Sequence, residues 1–198
     1  MSKEHHLVVI PGLGGGNLLF DKVINSWSRF GFIPHPYEMT WKDNKGFSPK
    51  LARLLKTVDD LQINDSIVSL VGTSAGGSMA LNAFYERQDS IHRVINVCGR
   101  LRSGVNVFPT LDQAAKSSPS FKESVLRCED KESDLSVQAR GKIMTIRALI
   151  DEVVPTSTST IQGARNLQIY SVEHMFSIAV AMTICARPMV EFLKENEN

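Results

Sequence analysis

The chain has 198 residues, 42% of them hydrophobic, which is enough apolar material for one domain with a filled core. A formal charge of +1 gives no electrostatic reason to expect nucleic acid or an anionic membrane surface as partner. Cys98, Cys128 and Cys185 form an odd, sparse set without metal-ligand spacing, so free thiols in a reducing compartment are expected, with no metal.

The first residues run into four apolar positions, 7–10, and then Pro11. That is too short for a signal peptide, so a cytoplasmic protein is expected. Residues 7–10 read as the first strand. The glycine-rich turn Pro11-Gly12-Leu13-Gly14-Gly15-Gly16-Asn17 follows, where the backbone is able to fold close to a ligand. In G-x-G-x-x-G register, Gly12 and Gly14 place Asn17 at the third glycine, and a start at Gly14 places Leu19 there. Neither frame completes a dinucleotide fingerprint, so no cofactor is expected. A helix is predicted over about 17–29 and a strand over roughly 31–39. Pro34 and Pro36 cannot donate to a ladder, which puts that strand at a sheet edge. Trp41 and Phe47 come next as candidates for an acyl pocket or for core cover, ahead of a helix over 49–61.

The apolar run 66–71 ends in Gly72-Thr73-Ser74-Ala75-Gly76, and a helix-like stretch, 75–88, begins there. A serine on a sharp strand-to-helix turn, with glycine two residues either side, is a candidate nucleophile elbow. A strand at 93–98 leads to Cys98-Gly99-Arg100-Leu101-Arg102, where Arg100 and Arg102 are candidate partners for a substrate carboxylate or phosphate, or simply solvated cations. More than forty residues then separate Cys98 from Lys142, broken by Pro109 and Pro119. Two short helices joined by loops are expected there, forming a long crossover or a small cap over about 100–140.

The strand 142–149 ends in Ile150-Asp151-Glu152-Val153-Val154-Pro155, and the last strand, 166–170, is followed by Val172-Glu173-His174 and a helix over 173–194. Within that helix 176–186 is the longest nearly unbroken apolar run, too short to span a bilayer. A serine nucleophile needs a base and an orienting acid, and elbows of this kind are completed in the order Ser, Asp/Glu, His. His5, His6 and His35 precede Ser74, and His92 precedes any acid placed by a strand end, so His174 is the candidate base. Asp151 is the candidate acid because it comes first after its strand; Glu152 is a substitute, although adjacent side chains point apart. The oxyanion donors are expected to be the backbone N–H groups of Ala75, at a helix N-terminus, and Leu13. Gly12, Trp41, Arg100 and Arg102 complete the candidate substrate-binding residues.

Taken together, Val9-Ile10-Pro11-Gly12-Leu13-Gly14-Gly15, Leu70-Val71-Gly72-Thr73-Ser74-Ala75-Gly76-Gly77, the Asp151 segment and Val172-Glu173-His174 resemble a small α/β-hydrolase-fold protein over nearly the whole length. The resemblance implies a three-layer α/β/α sandwich with a mostly parallel sheet and a single domain spanning 1–198. It also implies a Ser74-Asp151-His174 triad that hydrolyses a small acyl substrate, an ester before a thioester or amide, through an acyl-enzyme. The chain departs from that family in having Pro11 where His often precedes the oxyanion loop and Thr73 where His often precedes the nucleophile. It starts almost at the oxyanion-loop strand, so the first two family strands are expected to be missing and about six to remain. A non-catalytic binding module on the same fold, or an acyltransferase, is the competing reading. The oligomeric state is open at this level.

Overall fold

A computed structural model describes residues 3–63 and 65–196. Six strands form one sheet, and every neighbouring pair is parallel. They are β1 (His5–Ile10), β2 (Ile33–Pro36), β3 (Ile67–Thr73), β4 (Ile91–Val97), β5 (Ile143–Ile150) and β6 (Arg165–Val172). The helices are α1 (Leu18–Asn25), α2 (Phe47–Leu61), α3 (Ala75–Glu86), α4 (Leu111–Ala114), α5 (Pro119–Lys131), α6 (Val137–Gly141), α7 (His174–Met182) and α8 (Arg187–Lys194). Because parallel strands need crossovers on the sheet faces, β1, β3 and β4 are buried on both sides and read as continuous apolar runs.

The two faces have separate cores. Phe47, Leu54, Met79, Phe84, Phe121 and Val125 bring α2, α3 and α5 onto one face. Ile24, Trp27, Ile178, Met182, Met189 and Phe192 bring α1, α7 and α8 onto the other. This is the three-layer α/β/α sandwich with a six-stranded sheet expected from the sequence.

The strand order is β2-β1-β3-β4-β5-β6. The chain steps outward from β1 to β2, returns to β3 on the other side of β1, and then runs one way. Open α/β sheets bind ligands at the carboxyl ends where the order reverses, and here those ends belong to β1 and β3.

Three boundaries differ from the sequence reading. The proline-bearing strand keeps only four residues, Ile33–Pro36, and lies at the edge as expected. The segment between β4 and β5 holds one full helix, α5, besides the short α4 and α6. α5 packs against α2 and α3 and buries Phe121, Val125 and Cys128, so it belongs to the helical layer. The long final helix is two helices, α7 and α8, bent by 56°. Pro188 sits at the start of α8, a position that needs no N–H, whereas inside a continuous helix it removes a hydrogen bond and clashes with the preceding turn. Among the described residues no single helix is long and apolar enough to cross a membrane.

Candidate active site

Ser74 stands between β3 and α3 with φ 52° and ψ −123°, a backbone state that an L-residue rarely adopts. The turn is held from both sides: Ser74 N–H donates to the Val97 carbonyl at 2.9 Å, and Gly77 N–H donates to the Ser74 carbonyl at 3.0 Å. The flanking glycines are required by space. A β-carbon on Gly72 would overlap the Gly76 carbonyl, and one on Gly76 would overlap the Ile10 carbonyl. Gly76→Ala is therefore expected to push α3 off β1 and lower stability by about 1–3 kcal/mol, read by urea denaturation. An unchanged denaturation midpoint would show that the elbow is looser than this packing requires.

His174 is the first residue of α7, and its side chain is almost completely buried. Its Nδ1 lies 2.8 Å from Asp151 Oδ2, and its Nε2 lies 2.9 Å from Ser74 Oγ. An ionised carboxylate only accepts, so Nδ1 carries the proton and donates to Asp151. That tautomer leaves a lone pair on Nε2 to accept from the Ser74 hydroxyl. Asp151 Oδ1 accepts from the N–H groups of Val153 at 2.9 Å and Val154 at 2.7 Å, which makes the turn after β5 a carboxylate cradle.

Burial raises the Asp151 pKa, but the bonds from His174 and these amides outweigh it and hold the carboxyl below its ordinary value of 3.8. Asp151 binds its proton more weakly folded than unfolded. Its ionisation therefore favours the native state above pH 3.8, and that contribution is lost as pH falls through the lower folded value. The stability gap between wild type and Asp151→Asn is expected to shrink on acidification through this window. Urea midpoints measured at several pH values check it, and a flat gap would contradict it.

Glu152 does not compete for the ring. Its carboxylate accepts from the backbone N–H of His174 at 3.1 and 3.2 Å. Glu173 precedes α7 with φ 76° and accepts from Met175 N–H at 3.0 Å and Phe176 N–H at 2.6 Å. Two carboxylates thus cap the helix that starts with His174 and fix the entry of the imidazole, where the helix dipole favours negative charge. Sequence reasoning missed both roles, since glutamate is not among the preferred cap residues. Adjacency to His174 was the one available clue.

The turn after β1 lies against Ser74. A β-carbon on Gly12 would fall 2.8 Å from Ser74 Cβ and 3.2 Å from its Oγ, so only glycine fits. Gly15 N–H donates to the Gly12 carbonyl at 3.0 Å, and Asn17 caps α1 through the Phe20 N–H at 2.9 Å. Leu13 follows Gly12 in this turn, and Ala75 is the first residue of α3. Trp41 is 2% exposed and donates its indole N–H to the Pro11 carbonyl at 3.2 Å. It props the turn from behind and does not face a cleft. Thr73 Oγ1 donates to the Ile10 carbonyl at 3.3 Å and ties the elbow to β1.

The two arginines are engaged elsewhere. Arg100 is 1% exposed and gives its guanidinium N–H groups to the carbonyls of Arg102 at 3.1 Å, Pro109 at 2.7 Å and Ser103. Arg102 donates to Glu132 at 2.5 Å and to the Thr160 carbonyl at 2.7 Å. Both staple the loop after β4 and neither is an open cation awaiting an anionic substrate.

No sequence-family model matches the chain, and no curated protein sequence matches it. Solved structures do. A structure from work on LipS and LipT, two metagenome-derived lipolytic enzymes, aligns with a TM-score of 0.71 over 98% of this chain and 95% of its own, at 13% identity. Est1E from Butyrivibrio proteoclasticus, with ferulic acid bound, aligns at 0.65 over 98% and 92%, at 14% identity. A monoacylglycerol lipase from Paleococcus ferrophilus aligns at 0.65 over 95% and 93%, at 13% identity. Identity this low carries architecture alone, and with the parallel six-stranded sheet it shows that this chain has the α/β-hydrolase fold.

Proposed function

We propose that the protein is a serine hydrolase that cleaves a carboxylic ester through an acyl-enzyme. The observation that carries this reading is the unbroken relay Ser74 Oγ, His174 Nε2, His174 Nδ1, Asp151 Oδ2, with links of 2.9 and 2.8 Å. His174 takes the proton as Ser74 Oγ bonds to the ester carbonyl carbon, and the carbonyl electron pair moves onto its oxygen. The N–H groups of Leu13 and Ala75 receive that oxyanion. As the pair returns, the bond to the alkoxy leaving group breaks and His174 protonates it. Water then attacks the acyl-enzyme with His174 again as base, releasing the acid and restoring the serine hydroxyl. Asp151 stays ionised, fixes the tautomer and stabilises the imidazolium.

The connections that carry these residues also expose apolar side chains: Leu18 and Leu19 beyond the glycine turn, Ile150 and Val153 around Asp151, Met175 and Phe176 after His174. With Arg100 and Arg102 committed to the loop after β4, this surface favours a neutral, apolar acyl substrate. The monoacylglycerol lipase is a lipase by its own name, and LipS and LipT are described as lipolytic enzymes, in keeping with this reading. Three free thiols, two of them buried, support a cytoplasmic site of action.

A fluorophosphonate probe is expected to label Ser74, and p-nitrophenyl acetate and butyrate are expected to be hydrolysed. Labelling that is absent, or that survives Ser74→Ala, would sink the enzyme and leave a binding module on a hydrolase fold.

A further inference from the structure

The glycine turn after β1 has little conformational preference of its own. Pro11 brings neither an N–H nor a side-chain donor, and Gly12, Gly14, Gly15 and Gly16 leave most of the following backbone free to rotate. Yet Gly12 has to keep one orientation. A β-carbon on it would overlap Ser74, and the next amide, Leu13, is the proposed oxyanion donor. The order is imposed from outside the turn. The carbonyls of Ile10, Pro11 and Gly12 accept in succession from Thr73 Oγ1 at 3.3 Å, the Trp41 indole N–H at 3.2 Å and the Gly15 N–H at 3.0 Å. A trans peptide carries its C=O and its N–H on opposite sides of one plane. Holding the Pro11 carbonyl therefore fixes the Gly12 N–H, and holding the Gly12 carbonyl fixes the Leu13 N–H. With the planes on both sides of its Cα held, Gly12 has no free φ or ψ.

Trp41 is itself held on three sides. Lys50 Nζ donates to the neighbouring Thr40 carbonyl at 2.6 Å and pairs with Asp43. Ser118, the cap of α5, donates its hydroxyl to the Trp41 carbonyl at 2.8 Å. The indole meets Phe121 of α5 edge-on, with ring centroids 5.9 Å apart. A buried indole N–H needs an acceptor for its own sake, and any carbonyl would serve that need. The acceptor here belongs to the peptide that leads into the glycine against Ser74. We infer that Trp41 is a positioning residue: through the Pro11 carbonyl its indole N–H keeps the Gly12 and Leu13 amides in the orientation that receives the oxyanion. The inference rests on the ester hydrolase proposed above. Oxyanion donors act only when they are aimed before the charge develops. Without the indole bond the Pro11–Gly12 peptide is free to rotate, and a turned peptide carries the adjoining amide out of line. That loss falls on the transition state and not on binding of the neutral ester. The relay from Ser74 through His174 to Asp151 has its own bonds and is left intact.

Trp41→3-benzothienylalanine keeps the bicyclic ring and exchanges its N–H for sulfur, so the packing against Phe121 is retained. With p-nitrophenyl butyrate this variant is expected to lose about tenfold in kcat at unchanged KM, a part of what deleting an oxyanion donor costs. Its affinity for a trifluoromethyl ketone, whose adduct with Ser74 carries the same oxyanion, is expected to fall by a similar factor. The pH midpoint of kcat, set by His174, is expected to stay where it is. Trp41→5-fluorotryptophan keeps the N–H and is expected to match the wild type in all three. An active wild type whose benzothienyl variant keeps its kcat or its inhibitor affinity overturns the inference alone. So does a loss that the fluorotryptophan variant shares, or one that comes with a shifted pH midpoint, since these act through packing or through His174. A wild type that hydrolyses no ester and takes no fluorophosphonate removes the hydrolase and the inference together.

Discussion

Ser74→Ala is expected to lower turnover of p-nitrophenyl butyrate by roughly 10⁶-fold while the protein stays folded. The hydroxyl makes one bond that matters, to His174 Nε2, and its loss removes the nucleophile while leaving the elbow in place. What holds the elbow is backbone, through the Ser74 N–H and carbonyl bonds to Val97 and Gly77. Alanine inherits the left-handed φ of 52°, so it relieves none of the strain. Glycine does: Ser74→Gly is expected to be more stable than Ser74→Ala by about 1 kcal/mol and equally inactive. The comparison separates two roles of the position, since the strain that exposes the hydroxyl costs stability whether or not the hydroxyl is there. Residual esterase activity within tenfold of wild type in either variant would remove Ser74 from the proposed mechanism.

The elbow was legible because it needs residues that few other structures need in that order. An apolar strand, two glycines without room for a β-carbon and a serine between them leave little latitude, and the neighbouring strands announced themselves as continuous apolar runs. The edge strand was legible through Pro34 and Pro36, although its length was not, since prolines mark where pairing stops only after the register is known. The break between α7 and α8 was missed because apolar residues continue through Ile184 and Cys185 to Ala186, and Pro188 lies beyond the break. The arginines were unreadable for a different reason. Arg100 is fixed by the carbonyls of residues 102, 103 and 109, and carbonyls leave no trace in side-chain identity. In the sequence Glu152 stands only as a rival to Asp151 for the imidazole, and its bond to a backbone N–H of the same histidine follows from how α7 enters the sheet edge, a tertiary fact.

Those two neighbouring carboxylates supply the second large expected effect. Asp151→Asn is expected to reduce kcat by roughly 10⁴-fold with little change in KM. An amide in place of Asp151 offers its N–H₂ toward His174 Nδ1 as readily as its oxygen. The ring is then driven toward the tautomer that carries its proton on Nε2 and cannot accept from Ser74. The negative charge that stabilises the imidazolium in the transition state disappears at the same time. Glu152→Gln keeps an oxygen for the His174 N–H, so its rate is expected to fall less than threefold. Glu152→Ala leaves that amide without its partner and loosens the first turn of α7. It is expected to lower kcat by no more than about tenfold, with a stability loss of about 1 kcal/mol. The ordering is the diagnostic. If Glu152→Ala were as damaging to kcat as Asp151→Asn, the acid in the relay would have been misassigned, because a residue bonded to backbone acts only through the position of the ring. If Asp151→Asn kept its rate while Glu152→Ala lost it, the carboxylate orienting His174 during turnover would be Glu152, reached by a rotation of the loop after β5. The bonds from Val153 and Val154 to Asp151 Oδ1 oppose that rotation, since it would strip the carboxylate of two amide donors. The large effect is therefore expected at Asp151.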